Sequence, residues 1–374
     1  MNPPFCPYAA CPCHLSPPSR RWWRRAGFHH SACFGRVARF RCRSCLRTFS
    51  TQTFSPDFYA KRRLDYRRIE AELASSSSVR SLARNLGASC GCVQNRIDRL
   101  GRQAIACHAA LRPLARRRED VCIDGFVGFD LSQNFPNNIT ISITSGSRYV
   151  LGFTHATVRR SGTLRPAQRL RRDELYRGFR FEPRAIERSF RELLDQLGRD
   201  RPPGPRAPLV VVSDEKLEYE RAFKAHRLFK DQDADRRVAR IRVASKLPRT
   251  WRNPLFASNY LDREIRKDQA AHRRESTCFG RSVANGLMRM ACYVAWRNYA
   301  KRFLVKAPAH DRRTHAEAAG IPGESTRWAR EEMFGRRAFL SRLGLGPVEE
   351  RIWRKSSRTP LAPGPAPLPA YALA

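Results

Sequence analysis

Three aspartates and four cysteines are the side chains of this sequence best placed to do chemistry. Asp124 stands in VCIDGFVGFDL, an apolar run patterned as a strand. Asp214 closes the apolar run LVVVSD, where a side chain would emerge at the carboxyl edge of a strand. Asp262 lies in NYLDREIRKD, near the start of a helical segment. Carboxylates in such positions suit divalent cations. Phosphodiester chemistry commonly uses two Mg²⁺ ions about 3.5–4 Å apart, one activating the attacking oxygen and one stabilising the leaving oxygen. Mg²⁺ and Mn²⁺ suit carboxylate oxygens equally. Each aspartate also has a plainer reading, because an Asp at a strand end more often caps a turn than binds an ion. Asp130 and Glu215 compete for the first two roles, and Glu264 and Glu275 for the third.

The cysteines point to a different metal. Cys6 and Cys11 are separated by four residues and Cys42 and Cys45 by two, with about thirty residues between the pairs. Thiolates at these spacings can converge on one tetrahedral Zn²⁺, the long loop bringing the second pair across. With all four positions filled by protein, such a zinc is structural. Gly27 and Gly35 fall where a β-ribbon between the pairs needs turns, and Phe40 and Phe49 flank the second pair. Cys13 and His14 stand close enough to substitute as ligands. The rival reading is a scatter of free thiols among the twelve cysteines.

The elements that must position these groups divide the chain into five stretches. Residues 1–55 read as a zinc ribbon, and residues 56–118 as a charged helical region. Residues 119–305 hold the strand candidates Val121–Leu131, Asn138–Thr144, Arg148–Thr157 and Pro208–Ser213, mixed with helices. A Pro/Gly cluster at Arg201–Pro208 marks a loop before the last of these. Residues 306–358 read as a basic helical region, and the Pro/Ala-rich residues 359–374 as a disordered tail. A strand, a later strand end and a helix carrying the acids, in that order, fit an α/β fold of the ribonuclease-H kind.

Within the second stretch, SSSSVRSLARNLGASCGCVQNRIDRL reads as a helix-turn-helix. Serines supply an N-cap, and Val79, Leu82, Ala83 and Leu86 follow at helical spacing. Gly87 suits the left-handed turn. A second helix from about Ser89 to Leu100 turns Val93, Ile97 and Leu100 inward, leaving Gln94, Asn95 and Arg99 for base edges and phosphates. The bland alternative is an ordinary helical hairpin.

Lys and Arg number 72 against 34 Asp and Glu, a net charge of +38. So basic a chain needs a polyanionic partner, and nucleic acid leads over a membrane surface; with the helix-turn-helix, the expected partner is double-stranded DNA. No run approaches the ~18 apolar residues of a membrane span, and the N-terminus lacks a basic start and an apolar run. The expectation is a cytoplasmic, nucleoid-associated protein.

Together, Cys6 and Cys11, RFRCRSCLRTFS, the helix-turn-helix, CIDGF, the SD of LVVVSD and NPLFASNYLDREIRKDQAAHRREST resemble bacterial insertion-sequence transposases of the zinc-ribbon, helix-turn-helix and DDE type. The resemblance spans roughly residues 5–300. It implies a ribonuclease-H-like catalytic domain that cuts DNA with divalent metal and joins the free 3′ ends to a target, on a protein that can assemble as a homo-oligomer. The family's first two aspartates fall on Asp124 and Asp214. The third column, a Glu in the family, falls on Asn259, and Asp262 one turn later presents a carboxylate on the same helical face. The rival expectations are a regulator that only binds DNA, an inactivated copy, and a nuclease with no joining step.

Overall fold

The computed structural model describes residues 2–18, 21–116, 119–200, 209–230, 238–273, 280–306, 308, 311–364 and 367–373. Glu275 and the Arg201–Pro208 loop therefore lie outside the described residues.

After a short helix α1 (Pro12–Leu15), β1 (Trp23–Ser31), β2 (Gly35–Cys42) and β3 (Thr48–Ser50) form an antiparallel three-stranded ribbon. Gly35 ends the β1–β2 hairpin at φ +67°, and Gly27, at φ +74°, sits in the irregularity of β1 between Arg25 and Phe28. Trp22, Phe40, Phe49 and Phe54 pack beneath the ribbon, and Phe339 joins them from the far end of the chain.

Three helices follow: α2 (Tyr66–Ala74), α3 (Val79–Asn85) and α4 (Cys90–Leu111). Ser78 caps α3 by accepting from Ser81 N at 3.1 Å, and Ser89 caps α4 by accepting from Cys92 N at 3.1 Å. Gly87, at φ +56°, turns the chain between them, a conformation that costs glycine little. Leu82, Val93, Ile97 and Leu100 are buried, as their spacing predicts. The second helix does not stop near Leu100, however. It runs eleven residues further, because Ala104, Cys107 and Leu111 continue the buried stripe. There α10 (Val283–Tyr299) crosses it so closely that a Cβ on Gly101 would lie 2.8 Å from Met288 Sδ.

The α/β unit is a mixed five-stranded sheet of order β6-β5-β4-β7-β8. β4 (Val121–Phe129), β5 (Pro136–Thr144) and β6 (Val150–Thr157) form an antiparallel meander, and β7 (Leu209–Asp214) and β8 (Val238–Val243) add parallel to it. α5 (Pro166–Arg177) and α6 (Ala185–Arg199) connect the meander to β7, and α7 (Leu217–Ala225) and α8 (Arg227–Lys230) lie between β7 and β8. Side chains alternate across the sheet. On β4, Val121 and Ile123 face α6 and α7, while Cys122 and Phe126 face α9 (Phe256–Asp268) and α10. α6 carries Phe190, Leu193, Leu194 and Leu197 at i, i+3, i+4 and i+7, all buried. Each contributes about 1.5–3 kcal/mol by leaving water.

α11 (His315–Ala318), α12 (Gly323–Gly335) and α13 (Pro347–Trp353) do not form a separate C-terminal region. α12 packs on α4, and the segment beyond it reaches the ribbon, where Arg337 N donates to Phe54 O at 2.7 Å. The tail expected to be disordered also lies partly on the body: Trp353 Nε1 donates to Ala372 O at 2.9 Å.

Candidate active site and metal centre

β4 and β7 run side by side with Val121 opposite Val211 and Cys122 opposite Val212. Two residues further along each strand, Asp124 comes level with Asp214. The period-two alternation puts both carboxylates on the face shared with Cys122 and Val212, the face covered by α9. The register thus brings the two acids to the same end of adjacent strands. The β4–β7 pairing ends at the Cys122–Val212 row. The strands part beyond it at their carboxyl edge, where open parallel sheets form clefts. α9 begins at a turn in which Asn253 Oδ1 accepts from Leu255 N at 2.8 Å. It buries Ala257, Leu261 and Ile265 against the sheet and leaves Asp262 half-buried over the cleft.

The electrostatics tie the three acids together. Burial, then the charge of Asp214, push Asp124 up to about 6, against the pull of Lys216, the Gly125 N–H and Arg249. Burial, then the charge of Asp124, push Asp262 up to about 7, opposed by Arg266, Arg249 and Lys216. Near neutrality the cleft thus retains protons that a divalent cation would displace. Gly125 N donates to Asp124 Oδ1 at 2.7 Å, and Lys216 N to Asp214 Oδ1 at 3.1 Å.

Beneath the acids lies Tyr219, fully buried on α7 and stacked on Phe190 at 4.5 Å between ring centroids. Its phenol is held well above the usual range by burial and then by Asp124, Asp214 and Asp262. The side chain of Asn138 lies at the edge of hydrogen-bonding reach of its hydroxyl.

The competing acids are engaged elsewhere. Asp130 is buried and accepts from Asn137 Nδ2 at 2.6 Å, Thr157 Oγ1 at 2.7 Å and His155 Nε2 at 2.9 Å. Glu215 turns outward to Ser245, accepting from Oγ at 2.9 Å. Glu264 is buried on the opposite flank of α9, in an ion pair with Arg297 Nε at 2.9 Å and Lys301 Nζ at 2.6 Å. Asn259 is buried one turn before Asp262.

The four expected cysteines do converge. Cys6 and Cys45 Sγ lie 3.7 Å apart, as do Cys11 and Cys42 Sγ, and all four sulfurs fall within 4.8 Å of one another. Tetrahedral Zn–S bonds of about 2.3 Å would set sulfurs about 3.8 Å apart, so the thiols can hold a metal such as zinc. His14 is not a substitute ligand. Its Nδ1 lies 2.6 Å from Cys6 O and its Nε2 2.8 Å from Ser341 Oγ, so it fastens the ribbon to the C-terminal segment. Cys13 is buried beside the cluster and outside the set of four.

The outward-facing role expected of Arg99 is corrected. Its guanidinium is buried and donates to Pro56 O at 2.8 Å and Phe58 O at 2.7 Å, because α4 runs through the protein rather than along its surface. Asn95 is half-buried and accepts from Arg99 Nε at 2.8 Å, and Gln94 Nε2 donates to Asp98 at 2.8 Å. Sequence reasoning missed Tyr219, Lys216 and Arg249. The helix that follows Asp214 directly, LEYERAF, was the available signal for Tyr219.

No protein-family model matches this chain, and no curated protein is significantly similar to it. Among the described residues no helix is long and apolar enough to cross a membrane.

Proposed function

We propose that this chain is a DNA transposase of the DDE type. In this reading the α/β unit is a ribonuclease-H-like domain that cuts and joins DNA, and the ribbon with α2–α4 addresses it to element ends as a zinc ribbon and helix-turn-helix. The observation that carries the reading is the electrostatic coupling of Asp124, Asp214 and Asp262, brought together from two parallel strands and one helix.

That donor set fits Mg²⁺ or Mn²⁺, because carboxylate oxygens are hard ligands. Asp124, Asp214 and Asp262 would hold the ions, which when bound polarise phosphodiester oxygens and sharpen the nucleophile. The chain's own part is to hold three like charges together and to moderate them with Lys216, Arg249 and Arg266. The exposed loop between β8 and α9 carries Lys246, Arg249, Trp251 and Arg252 beside the cleft. It offers a phosphate backbone positive charge and an aromatic face where the acids could act on it.

The test incubates the protein with Mg²⁺ or Mn²⁺, labelled DNA from both flanks of its gene and a target plasmid. Joined product is expected from wild type, with a loss of about 100-fold or more in Asp124→Asn and Asp214→Asn. Nicking without joining would make it a nuclease. DNA binding alone, unchanged in both variants, would make it a regulator or an inactivated copy and overturn the proposal.

A further inference from the structure

The ribbon has a groove of about 590 Å³, inside the ~300–1,000 Å³ range of sites for small ligands. Its walls come from the two metal-binding loops: Tyr8 follows Cys6, and Arg47 follows Cys45. Tyr8 is fixed in place by donating its hydroxyl to Thr48 O at 2.6 Å, and Arg47 lies over its ring at 5.0 Å. Arg39 projects from β2 into the same groove. At the rim, Phe58 and Tyr59 rings lie 4.2 Å apart. Tyr59 stands 71% exposed on a backbone at φ +60°, a left-handed conformation that a bulky residue rarely adopts. Residues held in such backbone conformations cluster at active sites and ligand clamps.

The charge of the lining narrows the occupant. No carboxylate lines the groove, whereas Arg39, Arg47, Arg337 and His29 all do. Residues 1–55 contain nine arginines and no acidic residue. Such a lining favours an anion and excludes a cation or a basic peptide. Aromatic faces between arginines are the chemistry of unstacked bases with their phosphates. A duplex hides its base faces and could offer this groove only its backbone.

We infer that the ribbon groove binds single-stranded DNA, with bases stacked on Tyr59 and Tyr8 and flanking phosphates on Arg39 and Arg47. The inference is independent of strand transfer, and its test needs no catalytic metal. Zinc-loaded protein is titrated, by fluorescence anisotropy at fixed salt, into a labelled oligothymidylate of about fifteen residues and into a duplex of equal length. Tyr59→Ala and Arg47→Gln are each expected to weaken oligothymidylate binding about ten-fold and to change duplex binding by less than about two-fold. Tyr59→Phe, which keeps the ring, should bind as wild type does. In parallel, wild-type protein is photo-cross-linked to an iododeoxyuridine oligonucleotide, with adducts expected on the peptides holding Tyr8 or Tyr59. This arm decides the matter if a variant loses zinc or fails to fold. Equal loss of both DNA forms, no loss of either, or adducts confined to other peptides overturns the inference.

Discussion

The thiol cluster and the carboxylate cleft both gather acidic side chains, yet the protein treats them in opposite ways. The four sulfurs are already at tetrahedral spacing, and an aromatic floor of Phe40, Phe49, Phe54 and Phe339 closes around them. The three carboxylates sit at a parting of two strands, half-buried. Among the described residues the four cysteines are the set with ligand atoms all within 4.8 Å, so the aspartates are spread wider. They repel one another. A complete ligand set returns its binding energy to folding. Under the proposed function, a strained and incomplete one keeps a cost in the metal-free protein that ion and substrate would relieve on binding.

The largest expected effect breaks the closed half of that comparison. Cys42→Ser should lose the bound zinc and open residues 5–55 to protease, since metal in such sites contributes on the order of 10–16 kcal/mol to folding. Asp124→Asn should keep its zinc. Metal analysis of the two variants and the wild type decides this, and a wild type without zinc sinks the idea.

Next come two acids one turn apart or less on α9. Glu264→Gln strips a buried partner from Arg297 and Lys301 and should cost about 3–5 kcal/mol in denaturant unfolding. Asp262→Asn removes a repelled charge and should cost nothing in metal-free protein. The reverse ranking would exchange their roles.

A smaller effect appears with pH. Asp124 and Asp262 are raised from 3.8 to about 6 and about 7 on folding. The folded state therefore binds more protons between those limits, and stability rises when the unfolded state holds fewer protons and pH falls. Metal-free protein should be more stable near pH 4 to 5 than near pH 8 as far as these groups decide, losing that stability as pH climbs through 6 and 7. Mg²⁺ displaces the same protons, so saturating Mg²⁺ should flatten the slope, and Asp262→Asn should flatten it without Mg²⁺. Melting curves across pH would show a slope unaffected by either if the acids were not coupled.

The smallest change is Tyr219→Phe. Deleting a hydroxyl held at the edge of Asn138's reach should change the metal-free melting temperature by only a few degrees. A loss of stability comparable to Glu264→Gln would show that the hydroxyl has a structural partner.

The legible parts of this molecule were those written in local pattern. Four of the five strands of the sheet and the helices around Gly87 follow from alternation, helical spacing and serine caps. The thiols follow from spacing alone. β8 escaped because it lies at the sheet's edge, where Arg240 and Arg242 interrupt the apolar pattern and Ile241 is 46% exposed. Arg99 was misjudged because surface is the ordinary place for arginine, and only the tertiary fold brings the Pro56 and Phe58 carbonyls to it. The same distance in sequence hid Phe339, Ser341 and Arg342 beneath the ribbon.

α4 gives the chain a ruler. Its 22 residues rise about 33 Å in one rod. Along it Arg96 holds Arg62 O, Arg99 holds Pro56 O and Phe58 O, Arg102 holds Trp353 O, and Gln103 holds the amide of Ala338. One residue inserted midway would rotate everything beyond it by about 100° and move it about 1.5 Å, detaching these anchors and driving a side chain into Met288. Diverged copies of this gene should therefore vary in length at their surface loops and keep one length between Cys90 and Leu111.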